Sequence, residues 1–126
     1  MYLKLNKMKT TLVIGVSENK TRFAYKAVKA LLQNDEDVLA LGKRSGSLDG
    51  VQIYTSISTD KDVDTVTLYI NPDIQKSYED FLLKLNPNRV IFNPGTENLA
   101  LQKKLNEAGI KTLNACTLVL LARDEY

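Results

Sequence analysis

Residues 11–22 read Thr11-Leu12-Val13-Ile14-Gly15-Val16-Ser17-Glu18-Asn19-Lys20-Thr21-Arg22, and they contain the first strand-to-helix junction of the chain. A run of β-branched and apolar residues ends in Gly-Val-Ser, and a short polar turn then leads into an amphipathic helix. In an α/β protein such a junction presents backbone N–H groups at a helix N-terminus, where anions bind. The G-x-G-x-x-G pattern of an ordinary dinucleotide-binding loop is missing. The stretch therefore predicts a phosphate-bearing ligand without identifying it.

The rest of the chain alternates apolar runs with segments of helical period, which indicates a single α/β domain. The predicted strands are residues 11–16, 37–41, 65–70, 89–92 and 110–114, and residues 51–54 are predicted to be a short extended piece after a Gly/Ser-rich connection. The predicted helices are residues 21–33, a segment that begins after Asn71-Pro72-Asp73 and ends at Asn86-Pro87, residues 97–108 and residues 116–123. Because crossovers between parallel strands are right-handed, we expect a doubly wound, mainly parallel five-stranded sheet.

Length and charge narrow the class of protein. The 126 residues suit one domain, and 17 basic against 15 acidic residues give a net charge of +2, too balanced for a general nucleic-acid binder. The chain has no apolar run near the roughly 20 residues that span a bilayer. We therefore expect neither a nucleic acid nor a membrane as partner, and a monomer or a weak homodimer. Residues 1–8 are predicted to be an N-terminal extension, and residues 9–126 the domain.

The numbers of cysteine and histidine residues indicate the cellular compartment and limit the possible catalytic chemistry. A single cysteine, Cys116, cannot form an internal disulfide, so we expect a reducing, cytoplasmic location. The chain contains no histidine, which removes Ser-His and Cys-His nucleophilic pairs and histidine metal ligands. The composition favours binding over catalysis, with no catalytic residue and no metal site.

The candidate site lies where the predicted strands end. In an open doubly wound sheet, ligands bind beyond the carboxyl ends of the strands. Those ends carry Gly15-Val16-Ser17, Gly42-Lys43-Arg44, Tyr69-Ile70-Asn71 and Asn93-Pro94-Gly95. We expect these four segments to meet at one crevice.

The end of the second strand discriminates between nucleotides. An NAD-binding domain usually places an acid there for the ribose hydroxyl. This chain has Lys43 and Arg44 instead, which suit a phosphate on the ribose, as in NADP and coenzyme A. The competing interpretation is that the two cations are solvated surface. In the first loop, Lys20 and Arg22 precede a helix start, where a bound anion offsets the unfavourable interaction of cations with the helix dipole.

Two further residues have a functional and a structural interpretation. Tyr69 could stack on an adenine ring, although an aromatic residue at the end of an apolar strand is more often part of the core. Asn71 is more typical of a helix cap than of a ligand contact.

The order of these elements resembles the small stand-alone CoA-binding proteins, which are related to the CoA-binding domain of the succinyl-CoA synthetase α subunit. The resemblance spans about residues 9–126. It rests on Val13-Ile14-Gly15-Val16-Ser17 with the loop Asn19-Lys20-Thr21-Arg22, and on Asn93-x-Gly95-x-x-Asn98. Ala108-Gly109-Ile110 and Cys116 add to it.

The resemblance implies a Rossmann-like fold and a bound CoA or acyl-CoA. It implies that Gly15, Val16 and Ser17 line the pyrophosphate, with help from Arg22 in the loop that contains Asn19. Lys43 and Arg44 would reach the ribose phosphate. The remaining groove would be lined by Tyr69, Ile70, Asn93 and Gly95. Asn71 is a candidate contact from its position alone.

The chain departs from the family pattern at four places, namely Ala24, Gly42-Lys43, Leu99 and Asn114-Ala115. The active histidine of the synthetase has no counterpart, so ligase chemistry does not carry over. The leading hypothesis is a non-catalytic CoA- or acyl-CoA-binding module. The alternatives are a small NADP-linked oxidoreductase or an accessory subunit of a CoA ligase, and an interaction domain that has lost ligand binding.

Overall fold

A computed structural model describes residues 9–126 of the chain. The predicted extension, residues 1–8, lies outside the described residues. The seven strands are β1 (Thr10–Ile14), β2 (Asp37–Leu41), β3 (Gly46–Leu48), β4 (Val51–Tyr54), β5 (Thr65–Leu68), β6 (Arg89–Phe92) and β7 (Lys111–Asn114). The helices are α1 (Phe23–Gln33), α2 (Pro72–Gln75), α3 (Glu79–Leu85), α4 (Leu99–Glu107) and α5 (Thr117–Ala122).

The strands form one mixed sheet in the order β3-β4-β2-β1-β5-β6-β7. All neighbouring pairs are parallel except β3 with β4. The chain moves from β1 to β2 on one side of the sheet and later returns to β5 on the other side of β1. The topological switch therefore falls beside β1, which confirms the doubly wound α/β prediction.

Alternation along β1 divides the core between the two faces of the sheet. Leu12 and Ile14 belong to a cluster that also receives apolar residues of α3 and α4. Val13 belongs to the opposite cluster, to which α1 contributes Val28 and Leu31. All five of these residues are fully buried. Each such side chain contributes about 1.5–3 kcal/mol relative to an exposed one, so burial fixes the position of β1 and of the loop after it.

The prediction of five strands is wrong, because the extended piece at residues 51–54 is strand β4 and pairs with β3, which was predicted to be part of a connection, in a β-hairpin. Leu48 pairs with Val51 across a two-residue turn, and the turn residues Asp49 and Gly50 have φ values of 46° and 83°. Positive φ at both positions is the type I′ hairpin turn, for which Asp-Gly is a strong signal. The strands are only three and four residues long, and the Gly and Ser residues of β3 have low β-propensity.

The segment after β5 also differs from its prediction in detail. Its predicted start is confirmed, because the Asn71 side chain caps α2 by accepting the N–H of Ile74 at 3.0 Å. A 3₁₀ turn, Lys76–Tyr78, then separates α2 from α3. The predicted end is confirmed as well, since Asn86 closes α3 in a left-handed conformation with φ 52°.

No helix within residues 9–126 combines the length and the apolar character that crossing a membrane requires.

Candidate functional site

A cleft of about 960 Å³ lies beyond the carboxyl ends of β1, β2, β5 and β6. This volume falls within the range of roughly 300–1,000 Å³ that is typical of small-molecule sites. All four predicted loop segments reach the cleft. Of the predicted site residues, eleven line it: Gly15, Val16, Ser17, Asn19, Arg22, Lys43, Arg44, Tyr69, Ile70, Asn71 and Gly95. Asn93 does not.

The loop between β1 and α1 has a shape fixed by its own backbone and polar side chains. Gly15 has φ 105°, and a Cβ at this position would lie 3.0 Å from the carbonyl oxygen of Tyr69, so only glycine fits without strain. The Ser17 hydroxyl accepts the N–H of Asn19, and the Asn19 side-chain oxygen accepts both the N–H and the hydroxyl of Thr21. The loop therefore has a fixed shape without any ligand.

Helix α1 begins in the cleft with an uncapped N-terminus. Arg22 occupies the capping position in extended conformation, makes no capping hydrogen bond from its side chain, and is followed by no acidic residue in the first turn. The first N–H groups of a helix have no partners within the helix. By contrast, α2 and α4 are capped by the side chains of Asn71 and Asn98. The start of α1 is thus open to an anion.

The cations after β2 lie on the neighbouring wall of the cleft. Gly42 packs so closely on the loop after β1 that an added Cβ would overlap the Val16 carbonyl oxygen. Lys43 and Arg44 follow it directly, and both are exposed. Neither forms an ion pair within the part of the chain that the structure describes. Their charges are free to meet a ligand.

The opposite wall of the cleft is less polar. Behind it lies a buried glutamine, Gln75, which was not predicted as a site residue. Ile70, Ile74, Tyr78 and Pro94 line this wall. Behind it, the fully buried Gln75 amide donates to the carbonyls of Ile70 at 2.9 Å and Thr96 at 2.7 Å. The Gln75 side-chain oxygen accepts from the Asn98 side-chain amide at 2.8 Å. These bonds join the loops after β5 and β6.

Asn93 is a buried structural residue in the described chain. It is 2% exposed, and its amide nitrogen donates to the Thr67 hydroxyl and the Leu68 carbonyl. Its side-chain oxygen accepts the N–H of Thr117, the first residue of α5. Asn93 therefore shapes the ends of β5 and β6 from behind and does not face the cleft.

Tyr69 reaches the cleft, but its hydroxyl is buried on the other side. The ring packs against the core cluster that contains α1. The Tyr69 hydroxyl is buried near the hydroxyls of Thr67 and Thr117, which bond to each other at 2.8 Å. Burial raises the pKa of the Tyr69 phenol to about 12, and the nearby Cys116 contributes in the same direction. This packing favours the core interpretation of Tyr69 over ring stacking.

Several cleft residues were not predicted from the sequence. Glu18, Phe23, Ile53 and Tyr78 all line the cleft. Phe23 is the most exposed of these apolar residues, at 66%. Phe23 is the first residue of α1 and directly follows Arg22, a predicted site residue, so its place in the sequence could have indicated that it lies at the cleft. Ile53 lies in the predicted extended piece at residues 51–54, but no local pattern placed that piece at the cleft.

Cys116 is half-buried and occupies the capping position of α5 without making a capping hydrogen bond from its side chain. It does not line the cleft.

The fold and the cleft define a Rossmann-like α/β domain with a cleft at its topological switch point. A family model described as "CoA binding domain" matches residues 9–122. The chain belongs to this CoA-binding domain family, which supports CoA binding in general and confirms the resemblance inferred from the sequence.

Solved structures share the fold of this chain. A crystal structure of an uncharacterized protein has 41% sequence identity and a TM-score of 0.91, covering 96% of this chain and 100% of that one. A protein from Thermus thermophilus has 22% identity and a TM-score of 0.84, with coverage of 94% and 91%. Acetyl-coenzyme A synthetase 1 of Ca. Korarchaeum cryptofilum has 17% identity and a TM-score of 0.70; the match covers 85% of this chain and 25% of the synthetase. The last two similarities concern the fold alone. No curated protein matches the chain.

Replacing Asn93 tests its structural role. Asn93→Ala leaves the Leu68 carbonyl and the Thr117 N–H without their buried partner, so we expect the free energy of unfolding to fall by about 2–4 kcal/mol. Urea denaturation measures the change. Asn71→Ala is the matched control, since it removes a helix cap worth about 1 kcal/mol. An Asn93→Ala variant no less stable than the control would contradict the assignment.

Because the pKa of the Tyr69 phenol is raised, we expect the free energy of unfolding to fall at high pH. The raised pKa of about 12 in the folded state means that the unfolded phenol, with its ordinary pKa of 10, releases its proton first as pH rises. The contribution of the Tyr69 phenol to the free energy of unfolding is fully present below pH 10 and is lost as the pH rises towards 12. Relative to Tyr69→Phe, the natural chain should lose about 1 kcal/mol more of its free energy of unfolding between roughly pH 9 and pH 11. The free energy of unfolding is measured against pH by urea denaturation for both proteins. If the two curves run parallel, the raised pKa of Tyr69 is refuted.

Proposed function

We propose that residues 9–126 bind CoA or an acyl-CoA in the cleft at the carboxyl ends of β1, β2, β5 and β6, without catalysing a reaction. One observation carries the proposal: the uncapped start of α1 and the cations Arg22, Lys43 and Arg44 border the same cleft. Membership of the CoA-binding domain family supports the choice of ligand.

The pyrophosphate is proposed to lie on the loop after β1. Its support is the preformed shape of residues 15–19 and the open N–H groups at the start of α1. Backbone N–H groups at a helix start stabilise a phosphate without any charged side chain, and Arg22 adds a guanidinium beside them.

The phosphate on the ribose is proposed to meet Lys43 and Arg44. Both side chains are exposed, lack an ion-pair partner among the described residues and follow Gly42 into the cleft. A dianionic phosphate fits this pair better than a ribose hydroxyl does, because a hydroxyl would leave both positive charges unmatched.

The less polar parts of the ligand are proposed to lie along the opposite wall. Ile70, Asn71 and Gly95 line this wall, and Ile74 and Pro94 add apolar surface. Phe23 replaces Tyr69 as our candidate for contact with the adenine ring, since its ring is exposed at the cleft edge.

The proposed function is binding without catalysis, because few side chains in the cleft are suited to proton transfer. The chain has no histidine. Glu18 is the one carboxylate that lines the cleft within residues 9–126, and it accepts a backbone N–H from Ser47. The proposed monomeric or weakly dimeric state and the cytoplasmic location stay predictions.

A thermal-shift comparison of CoA, acetyl-CoA, NADPH, NADH and ADP tests the proposed function. At a CoA concentration 100 times Kd, linkage adds about 2.7 kcal/mol of stability. For a domain of this size that raises Tm by roughly 10 °C. We expect this rise with CoA and none with NADH. Stabilisation by NADPH alone would establish the NADP-linked alternative. No response to any ligand would favour an interaction domain that has lost binding.

Charge reversal tests the assignment of the ribose phosphate. The natural chain should bind CoA at least about tenfold more tightly than dephospho-CoA, because a hydrogen bond to a charged group is worth about 1.5–3 kcal/mol. Lys43→Glu with Arg44→Glu should abolish this preference, as measured by titration calorimetry at fixed salt. The matched control reverses two exposed lysines outside the cleft, Lys61→Glu with Lys103→Glu, and should keep it. A preference that survives the first double variant would show that the phosphate binds elsewhere.

A further inference from the structure

An acidic residue in an anion-binding cleft requires an explanation. Glu18 lines the cleft together with the cations Arg22, Lys43 and Arg44, yet no ion pair between Glu18 and a described cation is present. Its carboxylate instead accepts the backbone N–H of Ser47 at 3.0 Å. Glu18 therefore joins the loop after β1 to β3, a strand 29 residues further along the chain.

Gly46 leaves room for this contact. A Cβ on Gly46 would lie 2.8 Å from the carboxyl carbon of Glu18, closer than side-chain atoms approach without displacement. Gly46 does not have a positive φ, so backbone conformation alone does not require glycine here. A side chain at this position would therefore displace the Glu18 carboxylate.

A second contact holds the other end of the same segment. Gly42 packs directly on the carbonyl oxygen of Val16, and its N–H donates to the Tyr54 carbonyl at 2.9 Å. The segment that carries Lys43 and Arg44 is thus attached to the loop after β1 at both ends, by Gly42 on one side and by Ser47 on the other. Between them the chain has only four residues.

We propose that Glu18 is a positioning residue, which holds Lys43 and Arg44 at the cleft and thereby sets the preference for a ligand with a phosphate on its ribose. This inference rests on the proposed function and deepens it. The negative charge of Glu18 opposes an anionic ligand, so its benefit lies in the hydrogen bond to Ser47. A neutral side chain that keeps an acceptor oxygen should serve at least as well.

Three variants separate the hydrogen bond from the charge. Glu18→Ala removes both, Glu18→Gln keeps an acceptor without the charge, and Gly46→Ala displaces the carboxylate without changing any charge. The matched control is Glu97→Ala, because the Glu97 carboxylate accepts the Gly95 N–H at 2.9 Å on the opposite side of the cleft.

Two measurements apply to each variant: the ratio of affinities for CoA and dephospho-CoA by titration calorimetry, and the hydrogen-exchange protection of the Ser47 amide by NMR without ligand. We expect the affinity ratio to fall at least fivefold in Glu18→Ala and to fall in Gly46→Ala, with loss of Ser47 protection in both. We expect Glu18→Gln and Glu97→Ala to keep the ratio.

The outcomes distinguish this inference from the proposed function. A Glu18→Ala variant that loses Ser47 protection but keeps the affinity ratio would overturn the positioning role while CoA binding stands. A Glu18→Gln variant that behaves like Glu18→Ala would also overturn it, since the hydrogen bond would then not be the cause. A natural chain that protects Ser47 but binds neither ligand would overturn the proposed function, and the ligand-directed role of Glu18 with it.

Discussion

The cleft depends on how the carboxyl end of β1 is bonded to the strands on both of its sides. The N–H groups of Gly15 and Val16 both donate to the Leu41 carbonyl of β2, and the Ile14 carbonyl accepts the N–H of Tyr69 beyond β5. The chain diverges to the two sides of the sheet at this point, so the loops that follow these strands open around β1. Every wall of the cleft is positioned relative to this strand end.

The start of α1 shows a compromise between stability and binding. A serine or aspartate in place of Arg22 would cap the helix, a contribution of about 1 kcal/mol in most proteins. The same side chain would also occupy the N–H groups that face the cleft. The chain instead carries a cation beside an uncapped helix start, an arrangement that becomes favourable when an anion binds there.

The sequence predicted those parts of the fold and cleft that follow from local pattern and strand direction. Apolar runs located β1, β2, β5, β6 and β7, and the carboxyl ends of parallel strands necessarily meet at one edge. That rule predicts that Gly15, Lys43 and Ile70 lie at one cleft, as they do. The Asn71 cap was equally predictable, since it depends on the next three residues alone.

The parts that escaped prediction depend on distant contacts. Nothing near Gln75 or Asn93 shows that the side chain turns inward to bond with backbone groups more than 20 residues away. The hairpin of β3 and β4 was missed for two reasons. Its Asp49-Gly50 sequence is typical of a hairpin turn. However, β3 has only three residues, and the N–H of Ser47 within it bonds to the Glu18 carboxylate of a distant loop.

The contact between Glu18 and Ser47 has a consequence for how the molecule behaves in concentrated solution. β3 is an outer strand of the sheet, and unpaired backbone groups on outer strands are templates on which other chains can add as further strands. The Glu18 carboxylate occupies one of these N–H groups and places a negative charge beside the strand. Edge-to-edge aggregation at β3 is thereby opposed by the same side chain that faces the cleft.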